Sequence, residues 1–402
     1  MFWRVTGRNL ATLAVLMVTI GATMLFAAEP VVAQVSAGTV DSSFSAPALG
    51  GTVQAIAVQT DGKIIVGIWV TATSALVKRL NTDGTIDTNF AQRSFTGPVR
   101  SIAVQADGKI IVVGGLPAFV KRLNTNGTPD ASLTAPYLGF AVVSVAIQAD
   151  GKIIIGGTFS GNVRRLNTNG SNDDTFGAEG VSNPVLAIAV RADQKIYLGG
   201  DNSTFARYLS NGARDEAWYS SGFDDTGSVY SVALQADGKA IVGGRFTMSF
   251  LDRPNPRPAP LVNIARYNVN SDIDSTFAKP ALDGAVRALA IQADGRIVVG
   301  GEFTGRIKRL AANGTVDTSF GVPALDGAVR AVVIQADGKI VIAGEFTGGI
   351  KRLYSVAPSG VGGTISGGGG GNGVWIVVIA AAAVGSAVAG TAVTRRRKHA
   401  AA

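Results

Sequence analysis

The sequence predicts an all-β protein, and three observations carry that reading. The chain has 402 residues, of which 52 are glycine, with 47% hydrophobic and 16% charged residues; that composition suits short strands and tight turns and does not suit disorder. A turn aspartate between β-branched runs recurs at Asp61, Asp107, Asp150, Asp193, Asp237, Asp294 and Asp337, at separations of 46, 43, 43, 44, 57 and 43 residues. Each period holds four strand-like segments. A period in the low forties with four strands is that of a propeller blade. The expected fold is a seven-bladed β-propeller closed by an N-terminal strand, plus one C-terminal transmembrane helix.

Taken in order, residues 1–33 are expected to be a signal peptide. Arg4 and Arg8 precede an apolar run, Leu10 to Ala28, and Val31 and Ala33 suit the −3 and −1 positions of a cleavage site. Residues 34–357 hold the repeats. Residues 358–373 form a glycine-rich linker, including "SGGGGGNG" from Ser366 to Gly373. Residues 374–394 carry no charge and have the length of a membrane-spanning helix. The basic end 395–402, with Arg395, Arg396, Arg397 and Lys398, is expected on the cytoplasmic side, which puts the repeats outside the cytoplasm. Linker, span and basic end resemble bacterial C-terminal sorting signals, though no LPxTG-type motif is present. Ala381, Gly385 and Ala389 make a small-residue seam that offers weak support for a helix-mediated dimer.

Within each unit, strand A ends at the Asp-Gly turn, read as a two-residue hairpin. Strand B carries a run such as "IIVVGG", and strand C an Arg-Leu or Arg-Tyr pair. Strand D is a segment such as "TVDTSF". A second turn, Asn-Gly, follows strand C at Asn126, Asn169, Asn211 and Asn313. The paired glycines Gly114-Gly115, Gly156-Gly157, Gly199-Gly200, Gly243-Gly244 and Gly300-Gly301 let sheets approach closely. The fourth unit loses its turn glycine at Gln194, and the fifth carries an insertion, Met248 to Leu261.

The ends of the repeat array choose between a ring and an open solenoid. The seventh unit reaches Arg352 and Leu353, and its strand D is missing: Gly360 stands where aspartate is due. A stray "GTVDSSF", Gly38 to Phe44, precedes the first unit. Phe44 lies 17 residues before Asp61, the spacing of Phe90 to Asp107, Phe277 to Asp294 and Phe320 to Asp337. The fragment is therefore expected to complete the last blade, with Asp41 beside Arg352.

A polar pair recurs at eight-residue spacing: Arg79 and Asp87, Arg122 and Asp130, Arg165 and Asp173, Arg207 and Asp215, Arg266 and Asp274, Arg309 and Asp317. A guanidinium in an apolar sheet needs a carboxylate or carbonyls close by. These residues are expected to pair, in a structural role.

The marks "QADGKII", "KRLNTNG" and "GTVDTSF" resemble the bacterial delta-60 repeat, a β-propeller repeat family. The resemblance covers roughly Gly38 to Leu353. It implies a propeller at the cell surface or secreted, and no reaction.

Several chemistries are excluded. There is no cysteine, and the only histidine is His399 in the basic tail, so disulfides, thiolate metal sites and a histidine-based triad in the repeats are ruled out. The net charge of +8 comes largely from the ends: 30 basic and 27 acidic residues remain between them, with no basic stripe for nucleic acid. "NTDGTID", Asn81 to Asp87, has oxygen ligands but lacks a full calcium loop, so neither metal nor other cofactor is expected.

The A–B and C–D hairpins share one face and look uniform; the B–C loops and D–A connections share the other and vary. Variable loops on a rigid scaffold are where binding sits. Trp69, Phe119, Tyr137, Phe140, Tyr219, Phe223 and Phe250 on that face are the candidate ligand-binding residues. The expected function is recognition or adhesion at the cell envelope, with a surface protein or a glycan as partner. The alternative is a glycan-active hydrolase using Glu302 and Glu345, which occupy equivalent places in "GEFTG". No constellation of distinct catalytic roles is visible, so the chain is read as not an enzyme, with no catalytic residues.

Overall fold

The computed structural model describes residues 36–178, 180–202, 204–220, 227–247 and 262–356, together with two short strands near the C-terminus. Among the described residues every regular element is a strand. Sheet 1 holds β1 (Thr52–Val58), β2 (Ile64–Thr71), β3 (Ser74–Leu80) and β4 (Arg93–Phe95). Sheet 2 holds β5 (Val99–Val104), β6 (Ile110–Gly114) and β7 (Phe119–Leu123), and sheet 3 holds β8 (Val142–Ile147), β9 (Ile153–Gly157) and β10 (Val163–Leu166). Sheet 4 holds β11 (Val185–Val190), β12 (Ile196–Gly200) and β13 (Phe205–Tyr208); sheet 5 holds β14 (Ser228–Leu234), β15 (Ala240–Arg245) and β16 (Ile264–Tyr267). Sheet 6 holds β17 (Val286–Ile291), β18 (Ile297–Gly301) and β19 (Ile307–Leu310), and sheet 7 holds β20 (Val329–Ile334), β21 (Ile340–Gly344) and β22 (Ile350–Leu353).

The sheets form a ring because each is apolar on both faces. Strands such as β6, Ile-Ile-Val-Val-Gly, are buried throughout, so each needs a neighbouring sheet on either side. The first strands β1, β5, β8, β11, β14, β17 and β20 pack on one another in turn, and β1 packs on β20. One apolar cluster joins Val53 and Ala55 of sheet 1 to Ala331, Val333 and Val341 of sheet 7. Glycines permit the close approach: a Cβ on Gly300 would stand 2.5 Å from Val329 Cγ1 of the next sheet.

Two local features differ from the sequence reading. The Asp-Gly turns are three-residue loops. In the first, Gly62 N donates to Gln59 O at 2.9 Å and Gln59 N to Lys63 O at 2.9 Å. Gly62 alone takes a positive φ, 81°; this is a turn followed by a left-handed residue, whose geometry matches the strand twist. The segment read as strand D is also reduced to one bridging residue, such as Ile86 opposite Leu80 and Val316 opposite Leu310; sheet 1 adds the later β4 along the first half of β3. After that bridge the aspartate turns the chain away: Phe90 N donates to Asp87 O at 3.2 Å.

At the seam of the ring, Val40 bridges Leu353. Asp41 N donates to Arg352 O at 2.7 Å, Gly38 N to Tyr354 O at 2.7 Å, and Tyr354 N to Thr39 O at 3.0 Å. Sheet 7 thus takes its outermost segment from the other end of the array.

The Arg and Asp residues make a repeated staple. In all seven sheets the arginine Nε meets the aspartate Oδ2 at 2.7–2.9 Å, from Arg79 with Asp87 to Arg352 with Asp41. The residue after the turn glycine adds a third member, as Lys63 does on Asp87 at 2.7 Å and Lys339 on Asp41 at 3.0 Å. The sequence reading missed this lysine. Each arginine also reaches the next sheet: Arg79 Nη1 donates to Thr125 O at 2.5 Å, Arg122 Nη1 to Thr168 O at 2.6 Å, and Arg352 to Thr82 O across the seam. The phenylalanine of the Asp-x-x-Phe ending lies under the guanidinium, 4.8 Å from Arg79 for Phe90 and 4.9 Å from Arg352 for Phe44.

Most of the expected transmembrane helix over 374–394 lies outside the described residues. The described residues of that segment are two dipeptide strands, Ile376–Val377 paired with Val388–Ala389, an arrangement that the β-branched Ile376, Val377 and Val388 favour. No helix among the described residues is long and apolar enough to cross a membrane. The signal peptide 1–33, the linker 358–373, the tail 395–402 and the insertion Met248 to Leu261 lie outside the described residues.

Candidate ligand site at the axial mouth

All seven innermost strands carry the same irregularity. Their pairing with the second strand skips one residue between Val53 and Ala55, Val99 and Ser101, Val142 and Ser144, Val185 and Ala187, Val229 and Ser231, Val286 and Ala288, and Val329 and Ala331. The skipped residues are Gln54, Arg100, Val143, Leu186, Tyr230, Arg287 and Arg330. A bulge leaves its extra residue unpaired and re-aims the side chain. These strands line the axis, and the bulges sit at their first turn of chain, on the face of the B–C loops. The flanking residues are nearly uniform from sheet to sheet; the seven skipped ones are not.

Contacts among the skipped residues cross sheet boundaries, as convergence on an axis requires. The Arg287 guanidinium lies 4.0 Å over the Tyr230 ring. Val143 packs with Leu186. Burial first, and then the charge of Arg330 two sheets away, pull the Arg100 guanidinium below its ordinary value. One arc of the mouth is therefore cationic and polar (Arg287, Arg330, Gln54, Arg100), and the opposite arc is apolar (Val143, Leu186).

At or just past the end of the second strand, six sheets place Trp69, Thr158, Asp201, Arg245, Glu302 and Glu345, which form an outer rim. Here the structure locates the two glutamates proposed for hydrolysis. Arg287 Nε donates to Glu302 Oε1 at 2.9 Å, Arg330 Nη1 donates to the same oxygen at 3.1 Å, and Arg330 Nη2 reaches Glu345 Oε1 at 2.6 Å. Both carboxylates are engaged by guanidiniums. Asp201 Oδ1 accepts a bond from Ser228 Oγ at 2.8 Å.

The aromatic candidates do not gather. Trp69 is exposed on the rim; Tyr137, Phe140 and Tyr219 are exposed on D–A connections. No ring contact joins these four to one another. Phe119 is half-buried and stacks on Phe95 of β4, centroids 5.0 Å apart, beside a cavity of about 550 Å³ that also takes in Leu123, Pro129 and Leu133. Phe223 and Phe250 lie outside the described residues. No group of three or more metal-ligating side chains occurs among the described residues.

The arginines of the mouth left a signal in the sequence. "VRSIAVQ", "VRALAIQ" and "VRAVVIQ" each place one arginine at the second position of an apolar run. Alternation alone puts that position on a buried sheet face, and only the bulge turns it to the axis.

The repeats match a known family model. Six segments of the chain match a β-propeller repeat model. The model, described as "Domain of unknown function (DUF5122) beta-propeller", matches residues 59–90, 105–133, 148–176, 235–277, 292–320 and 335–353. The fourth unit, where Gln194 replaces the turn glycine, is passed over, and the last match stops at the seam. No curated protein matches the chain.

Among solved structures, the chain is similar to virginiamycin B lyase from Staphylococcus aureus, at 14% identity and a TM-score of 0.55, over 76% of this chain and 94% of the lyase. It is similar to the WD40 β-propeller domain of Doa1, at 14% identity and a TM-score of 0.55, over 79% and 95% of the two chains. A third is the extracellular domain of a putative one-component system from B. thetaiotaomicron, at 13% identity and a TM-score of 0.54, over 78% of this chain and 40% of that one. At these identities the likeness is one of fold. It corrects one expectation, that the chain is not an enzyme: virginiamycin B lyase is an enzyme on this fold. The scaffold is no ground for excluding catalysis, and the 14% identity establishes no reaction here.

Proposed function

We propose that the chain is a recognition propeller of the delta-60 type, working outside the cytoplasm and taking its ligand on the face of the B–C loops and D–A connections. The observation that carries this reading is the ring of bulges. Seven equivalent backbone distortions present seven side chains of mixed chemistry to one axial mouth, while the hairpin face repeats the same turns. Variable side chains on a fixed frame are the arrangement of a binding surface. The exposed Trp69, Tyr137, Phe140 and Tyr219 add anchors for a surface protein or a glycan around that mouth.

The expected signal peptide and the uncharged segment 374–394 with its basic end support attachment at the cell envelope. The extracellular domain from B. thetaiotaomicron is a fold relative that works outside the cell by its own description. The virginiamycin B lyase comparison includes a catalytically inactive histidine-to-alanine form; the only histidine of this chain is His399, so the repeats would have to work without one.

The test is a glycan array and an envelope-protein pull-down with the full chain. Binding is expected to fall in Trp69→Ala combined with Tyr219→Ala. It is expected to survive Asp107→Ala, an exposed change on the hairpin face. The reverse pattern would move the ligand to the hairpins and sink the placement.

A further inference from the structure

We propose that the outer edge of β7 takes an extended segment of a partner protein as the fourth strand of sheet 2. The segment reads acid, any residue, apolar residue. The site lies at the circumference of the ring and goes beyond the ligand of the axial face.

Sheet 1 shows what sheet 2 lacks. There β4 pairs with β3, Arg93 opposite Val77 and Phe95 opposite Ala75. The first two units align at a spacing of 43 residues, Asp87 on Asp130, so Pro136 stands where Arg93 does and Val120 where Val77 does. Asp130 N donates to Arg122 O at 2.8 Å, so the backbone groups of Arg122 face away from β6. Strand alternation turns those of Val120 the same way. A residue opposite Val120 has to donate an N–H, and proline has none. Sheet 2 therefore stops at three strands. Sheets 3 and 6 close the equivalent position themselves: Val163 N donates to Gly161 O at 2.6 Å, and Ile307 N to Gly305 O at 2.7 Å. On its outer side Val120 has no such bond among the described residues.

Space for a strand lies beside this edge. The cavity of about 550 Å³ sits between Arg93 and Phe95 of β4 and Phe119, Lys121 and Leu123 of β7. An extended chain presents an N–H and a C=O at the spacing that a strand edge requires. A strand antiparallel to β7, as β4 is to β3, sets its residue p opposite Val120, p+1 opposite Phe119 and p−1 opposite Lys121. Side chains alternate, so p+1 and p−1 both face the cavity. Phe119 and Phe95, stacked at 5.0 Å, offer p+1 an apolar wall. Lys121 is exposed and Arg93 half-buried, and neither side chain makes an ion pair or hydrogen bond among the described residues. Opposite charges across a strand pair attract and like charges repel, so two free cations beside p−1 select a carboxylate. An edge lysine also guards against pairing with a like strand, which disfavours a second copy of β7 as occupant.

The experiment is calorimetric titration of the full chain with the capped peptide acetyl-Ser-Thr-Glu-Val-Leu-Thr-Ser-amide, whose glutamate, valine and leucine take positions p−1, p and p+1. It is expected to bind about tenfold more tightly than the same peptide with lysine for glutamate. A form N-methylated on the valine cannot donate to Val120 O and is expected to bind at least about tenfold more weakly. Arg93→Glu combined with Lys121→Glu is expected to reverse the charge preference. Tyr219→Ala, an exposed change on the connection after sheet 4, is expected to leave binding as it is. No binding of the glutamate peptide at about 1 mM, equal binding of the N-methylated form, equal binding of the lysine form, or a charge preference kept in the double variant would each overturn the proposal. Loss of binding in Tyr219→Ala would place the peptide on the axial face and overturn it too.

Discussion

At the scale of the residue, the repeat shows what each position needs by where a unit departs from it. Six of the A–B turns place glycine at the left-handed position, and the fourth places Gln194 there with φ at 68°. A side chain in that conformation costs about 1–2 kcal/mol relative to glycine. Gln194 recovers part of this: its Oε1 accepts from Ala149 N at 3.3 Å on an exposed edge, a long bond worth about 0.5 kcal/mol at most. The backbone strain outweighs the bond. Gln194→Gly is therefore expected to stabilise the protein by about 1 kcal/mol, read as a raised urea midpoint with unchanged slope. A lower midpoint would show that the bond to Ala149 outweighs the strain. The sequence made this residue legible as an exception, because the turn depends on one residue and its two neighbours. It did not reveal that the aspartate before it is not left-handed, since both turn types favour Asp-Gly.

At the scale of the element, the staple of arginine, aspartate and lysine stands in for a fourth strand in six of the seven sheets and accompanies β4 in sheet 1. One bridging residue cannot hold an edge, and the aspartate gathers what holds it. For Asp173, burial pushes the carboxyl up. Bonds from Lys152, Thr175 and Arg165 outweigh that and hold it well below the usual carboxylate range. The same balance lowers Asp41, Asp87, Asp215, Asp274 and Asp317; in Asp130 the bond from Ser132 leads. A group whose folded value is depressed stabilises the fold above its unfolded value and loses that contribution as pH falls through the folded one. All seven aspartates act in the same direction. The thermal midpoint is expected to stay level from about pH 7 to 5 and to fall steeply below about pH 4, where free carboxyls protonate. A level midpoint down to about pH 2 would show that the staple contributes nothing. The arginine and aspartate stand out in the sequence by their eight-residue spacing. The lysine does not, because it belongs to another strand and meets them only through the fold. The bulges are less legible still: pairing two residues against one has no residue signature, and Gln54, Val143 and Arg330 share only a position.

At the scale of the whole molecule, the ring is held at one seam by the same staple under a heavier load. Arg352 and Asp41 are 311 residues apart, whereas Arg165 and Asp173 are eight apart. Closing the longer loop costs about 3 kcal/mol more by the logarithmic loop law, and the seam must offset this with identical local contacts. It has one that the Arg165 staple lacks: Tyr354 Oη donates to Asp41 Oδ1 at 2.9 Å, whereas the bond from Arg352 Nη2 to Ser43 Oγ at 3.1 Å is matched by that from Arg165 Nη2 to Thr175 Oγ1 at 3.3 Å. Removing the carboxylate from either staple leaves a buried arginine unpaired, at about 3–5 kcal/mol. In Asp173→Ala the chain keeps its short tether, so the bridge re-forms. In Asp41→Ala the N-terminal segment is free to leave, and its departure bares the edge of β22. Global stability is expected to drop by a similar amount in both. Hydrogen exchange should separate them: in Asp41→Ala the amides of Asp41 and Tyr354, which bond across the seam, lose protection before the rest of the ring, by about a hundredfold for each 3 kcal/mol lost. Equal protection of the seam amides in the two variants would mean that closure does not depend on this strap, and that sheets 1 and 7 hold together through their apolar faces alone.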